Sequence, residues 1–157
     1  MSARYRLPDE PMPGGLSRYA VDPMWPLLAL MLAGNGFGLA WFAFNSVALG
    51  SPSRNREWMY VVLNLLGSAV LVLLLAMASS SGWLDASALR YAGLSLIALK
   101  LICGYSIYLS QQRSCELWEH FGGKPANGLP VVILLALFGR RLLNPEFLPP
   151  MLFGVLQ

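Results

Sequence analysis

Apolar residues in this chain fall in long runs separated by short polar clusters. The first run is 24–49, "MWPLLALMLAGNGFGLAWFAFNSVAL", with Pro26 in its first turn and Gly50, Ser51 and Pro52 after it. The second, 58–78, "WMYVVLNLLGSAVLVLLLAMA", is closed by "SSSG". The third, 88–110, opens near Arg90, and its polar continuation "QQRSCELWEHF" extends the predicted helix as far as Gly122 and Gly123. Each run matches the ~20 apolar residues that a membrane-crossing helix needs. A fourth segment, 129–143, is shorter, and Arg140 and Arg141 would have to snorkel from it to an interface. A last apolar piece is broken by Pro145, Pro149 and Pro150. The expected fold is all-α: a multi-pass transmembrane helix bundle with four membrane segments, the last short, broken or re-entrant. Residues 24–157 form the membrane domain. Residues 1–23 are polar and rich in Pro and Gly, which predicts a flexible tail rather than a secretory leader.

Composition agrees with that pattern. Hydrophobic residues make up 56% and charged residues 12% of 157, with mean hydropathy +0.55. A soluble domain carries about 25% charged residues, so this chain has too few to cover a water-facing surface. The net charge of +3 comes from eleven Lys and Arg that are spread out. That excludes the clustered basic footprint of nucleic-acid binding. The same spread leaves the orientation weakly specified by positive charge in the loops. Trp25, Trp58, Tyr60, Trp83, Tyr91 and Tyr108 sit near span ends, where amphipathic rings favour the interface. Trp41 does not. Cys103 and Cys115 would lie about 18 Å apart along one helix, too far for a disulfide within it.

The informative positions are the small and polar residues inside the spans, because polar groups in hydrocarbon seek partners within the protein. In the first span, Gly34 and Gly38 form a G-x-x-x-G pair beside Asn35. The pair is read as a helix-packing face, with a helix break at "GNG" as the other possibility. In the second, Asn64, Gly67 and Ser68 share one face. In the third, Lys100 shares its side with Gly93, Cys103 and Gly104, and also with Leu96, Ile97 and Ile107. A charge at mid-span costs about 2.5–3.5 kcal/mol, and no firm span holds an acid to pair with it. Three roles stay open for Lys100: a structural polar contact, a site for an anion, headgroup, proton or solute, or a lipid-facing position. The candidate polar cluster is Lys100, Asn35, Asn64 and Ser68. The candidate packing residues are Gly34, Gly38, Gly67, Gly93 and Gly104.

Enzymatic and metal signatures are weak. Glu116 and His120, and Cys115 and Glu119, have helical i, i+4 spacing, but one histidine and no second ligand pair do not make a zinc site. A Ser68–Lys100 dyad is conceivable without further motif support. No catalytic residue, metal or cofactor is expected. The size and span number resemble those of small bacterial multi-pass proteins, four-helix drug exporters among them. The carboxylate that such exporters carry in the first span is missing here, where Asn35 is the most polar residue near the middle. The expectation is a non-enzymatic subunit or assembly component of a bacterial inner (cytoplasmic) membrane complex, in contact with lipid and with copies of itself or a partner membrane protein. The alternative is a small transporter or channel with a site around Lys100.

Overall fold

A computed structural model of the chain describes residues 14–83 and 85–142. The expectations for most of the N-terminal tail and for the Pro-rich C-terminal piece lie outside them. A 3-10 turn, Ser17–Tyr19, leads into five α-helices: α1 Met24–Leu32, α2 Asn35–Leu49, α3 Arg54–Ser80, α4 Ala86–His120 and α5 Leu129–Leu142. The described residues are thus all-helical, apart from one isolated parallel bridge between Val21 and Ala126.

The run 24–49, expected as one span, is two helices. Gly34 has φ 108° and ψ 173°, a region that side-chain-bearing residues avoid, and it stops α1 short of α2. The chain reverses there. Gly38 of α2 lies directly against the backbone of Leu30 in α1, so the two helices form a tight antiparallel hairpin. Their 9 and 15 residues correspond to about 14 and 22 Å, each less than a bilayer core. At the hairpin's other end α2 stops at Gly50, whose αL conformation (φ 61°) caps it before α3.

Among the described residues, two helices, α3 and α4, are long and apolar enough to cross a membrane. At 27 and 35 residues they span about 40 and 52 Å. Asp85 caps α4 by accepting the Ala88 N–H at 2.8 Å. The pair is antiparallel, with Leu99 covering Gly67. The described part of the fourth segment, α5, has 14 residues. It runs parallel to α1: Gly128 meets Trp25 at one end, and Gly139 meets Ala33 and Phe37 at the other. The Ala126 N–H donates to the Ala20 carbonyl at 2.8 Å, which ties the two approaches together.

The start of α1, the end of α2, the start of α3, the end of α4 and the start of α5 therefore share one end of the bundle. Leu30, Leu39, Phe42, Val61 and Ile107 form the core where the hairpin meets α3 and α4. Ala20, Ala48, Leu49 and Cys115 form a second cluster at the shared end.

Candidate functional site

Two polar groups are buried in the bundle. The first lies at the hairpin tip. Asn35 opens α2 just after the break and is 4% exposed. Its Nδ2 donates to Asn64 Oδ1 at 3.2 Å, and Ser68 Oγ donates to the same oxygen at 3.3 Å. Three of the four expected polar residues thus converge. The Asn64 Nδ2 has no acceptor among the described residues. Lys100 is half-buried. It lies on the side of α4 that carries the buried Cys103, Gly104 and Ile107, next to Leu99, which covers Gly67 between Asn64 and Ser68.

The glycines divide by what surrounds them. Gly38 and Gly104 both receive Leu30, and Gly67 receives Leu99. These close approaches are made within the chain. Gly34 supplies the turn. Gly93 has none of the described residues within 4 Å of where a Cβ would stand. The i, i+4 pairs near the end of α4 make local contacts. Cys115 Sγ donates to Glu119 Oε1 at 3.7 Å, Gln112 donates to Glu116 at 3.1 Å, and the His120 ring meets Phe121 edge-on. Among the described residues, no three His, Cys, Asp or Glu side chains are grouped to hold a metal ion.

The second polar group, at the shared end of the bundle, is larger and was not anticipated. Its centre is Glu57, one turn into α3 and 1% exposed. Glu57 Oε1 accepts from Ser51 Oγ at 2.5 Å, Ser53 Oγ at 2.8 Å and Ser110 Oγ at 3.2 Å. Its Oε2 accepts from Gln111 Nε2 at 3.0 Å. The same Gln111 nitrogen donates to the Phe42 carbonyl at 2.8 Å, and Gln111 Oε1 accepts from Asn45 Nδ2 at 3.1 Å. Asn45 then holds both backbone polar groups of Val21, accepting from its N–H at 2.9 Å and donating to its carbonyl at 3.0 Å. One continuous network thus joins the segment before α1 to α2, α4 and α3. Burying these groups is tolerable because each finds a partner.

An open cleft of about 670 Å³ lies above this network, lined by Ser53, Arg56, Ser110, Arg113 and Leu117 among others. Arg56 Nη2 donates to Ser110 Oγ at 3.3 Å. A hydroxyl has one proton to give, and the serine contacts outnumber the protons available. With Ser51 and Ser53 donating to Glu57, Ser110 can donate to Ser53 at 2.8 Å while accepting from Arg56. The hydroxyls then relay hydrogen bonding from the guanidinium at the surface to the carboxylate beneath. A signal for this site exists in the sequence. The Lys100 face of α4 continues through Gly104, Ile107, Gln111 and Ser114, at helical spacing, and turns polar as it leaves the apolar stretch.

No protein-family model, curated protein or solved structure matches the chain.

Proposed function

We propose that the chain is a multi-pass integral membrane protein and a non-enzymatic component that works by packing against other membrane helices, its own copies or a partner's. The distribution of polarity supports this reading. The amide and serine side chains bond to one another inside the bundle. The outer faces of α3 and α4, by contrast, are apolar and exposed, as at Leu66, Val70, Met77, Leu94, Ile97 and Ile102. Only 17% of the apolar window in each helix is buried, the reverse of a soluble core helix. In this reading α3 and α4 cross the bilayer. The α1–α2 hairpin is re-entrant, its non-helical turn shielded by protein as hydrocarbon demands. Helical rather than barrel spans direct the proposal to a cytoplasmic membrane. Association would use the outer faces of α3 and α4, because Gly38, Gly67 and Gly104 are already covered within the chain. Crosslinking in native membranes, followed by mass measurement in nanodiscs, is expected to show a defined oligomer or partner. A monomer with no partner recovered counts against the proposal.

A second reading, a small transporter or channel, is favoured by the Asn64 Nδ2 donor at the tip, beside a broken helix of the kind that lines solute sites. Its test is Ser68→Cys in a background lacking Cys103 and Cys115. Labelling by a membrane-impermeant thiol reagent, together with K⁺ or proton flux in proteoliposomes that Lys100→Leu abolishes, supports a passage. Absence of both removes it.

A further inference from the structure

The Arg56–Arg113 cleft lies where the apolar stretches of α3 and α4 give way to polar residues. On α3 the apolar run begins at Trp58, two residues after Arg56. On α4 it ends at Leu109, just before Ser110 and Arg113. If the bundle is embedded as proposed above, on which this inference rests, the cleft stands at headgroup level. Its charged lining is two guanidinium groups, with Leu117 and Pro52 as apolar walls. Arg56 is pre-positioned by its bond to Ser110. The nearby acid, Glu57, does not oppose an anion at the surface, since it is 1% exposed and Ser51, Ser53 and Ser110 cover its Oε1. The positive end of α3 adds to the field.

We infer that this cleft binds a phosphate-bearing anion. Planar guanidinium forks match the paired oxygens of a phosphate, and two converge here on one opening. About 670 Å³ lies within the range of small-molecule sites and exceeds what a phosphate alone fills. The remaining space, walled by Leu117 and Pro52, suits the glycerol and first acyl carbons of an anionic lipid.

The test uses the full chain in nanodiscs of phosphatidylcholine containing a minority of phosphatidylglycerol, with the lipids retained on release read by native mass spectrometry. The expected result is selective retention of phosphatidylglycerol. It should fall about fivefold in Arg113→Gln and in Arg56→Gln, the scale of one arginine at an anionic surface, and stay unchanged in Arg90→Gln. Arg113→Gln is the cleaner variant, because Arg56 also bonds to Ser110. Calorimetric titration of the detergent-solubilised chain with inorganic phosphate separates the two sources. Phosphate binding that Arg113→Gln abolishes, without lipid preference, identifies a free phosphate as the ligand. Neither preference nor phosphate binding, or retention unaltered in Arg113→Gln, overturns the inference. Alkaline carbonate extraction of native membranes tests the embedding separately. A chain that stays in the membrane pellet yet shows no selectivity rejects only the anion site.

Discussion

The hairpin rests on one contact between helices, and adding a single methyl group tests it. In Gly38→Ala the new Cβ falls 2.6 Å from the Leu30 amide nitrogen and closer still to its Cα and Cβ. Carbon contacts are comfortable at about 3.5–4.0 Å, so the two arms must separate by about 1 Å or more. The obstacle is backbone and cannot swing aside. Leu30 is also fully buried, sits in the core with Phe42, Val61 and Ile107, and covers Gly104, so moving it disturbs three helices. Overpacking of this kind costs about 1–3 kcal/mol, sometimes more. The gain in helix propensity from Gly to Ala offsets up to about 1 kcal/mol of that. Gly93→Ala is the internal control, since none of the described residues lies within 4 Å of its new methyl and only the propensity gain remains. The propensity gain is common to both variants, so the prediction is a stability gap of about 1–3 kcal/mol between them, with Gly93→Ala at or above wild type. Reversible unfolding by SDS titration in mixed micelles, followed by tryptophan fluorescence, measures it. Equal stabilities of the two variants would falsify the close-packed hairpin.

Glu57→Ala removes the acceptor of the Ser51 and Ser53 hydroxyls and one of the two acceptors of the Gln111 amide, and is predicted to cost about 3 kcal/mol, since bonds to a carboxylate are worth about 1.5–3 kcal/mol each and partial re-pairing limits the loss. The same SDS titration checks it, and a cost under about 1 kcal/mol would show the network to be dispensable. Asp85 is held below its ordinary value of 3.8 by the Ala88 N–H and then by the Ser87 hydroxyl. A carboxylate lowered in the folded state stabilises above its unfolded value and loses that contribution as pH falls through the folded one. Protection of the Ala88 amide, read by hydrogen exchange, should therefore weaken only in the acid range below about pH 4. Asp85→Asn should keep the cap and lose the pH dependence, and an identical acid profile in Asp85→Asn would refute the assignment. Cys103 and Cys115 are each 1% exposed, so maleimide labelling of both thiols should require denaturant. Rapid labelling of the native protein would contradict their placement.

The apolar runs announced helices correctly because burial in lipid or in a core imposes length and continuity, and both are visible in one dimension. The residues 58–78 and 88–110 fall within α3 and α4. Asn35, Asn64 and Ser68 stood out because amides and hydroxyls inside an apolar run need partners, and they did find one another. The break in 24–49 was harder to read. Gly34 and Gly38 at spacing four describe equally well a packing face between two helices and a reversal in which one helix folds back on its predecessor. Only φ at Gly34 distinguishes them, and no neighbouring residue type encodes it. Glu57 was hidden for another reason. Flanked by Arg54 and Arg56 in a loop-like stretch, it looks solvated. It is buried because Ser51, Ser53, Ser110 and Gln111 arrive from distant parts of the chain, and such convergence leaves no local pattern. Gly93, on the same face as Gly104, meets none of the described residues within 4 Å of its Cβ position, because spacing along one helix places a residue on a face and not a partner over it.

The pairing of Val21 with Ala126 has a consequence for how the chain is made. The hairpin leaves the ribosome early, yet the segment that closes its base is synthesised about a hundred residues later. At 5–20 residues per second that interval is roughly 5–20 s. Through most of it, Val21 can hold Asn45, which is nearby in sequence, but Gln111 is made only near its end and Ala126 last of all. In the embedded arrangement proposed above, the first two helices wait in the insertion machinery or at the bilayer surface with their amides provisionally bonded. A pause of that length is an opening for a chaperone or a partner chain to engage them first.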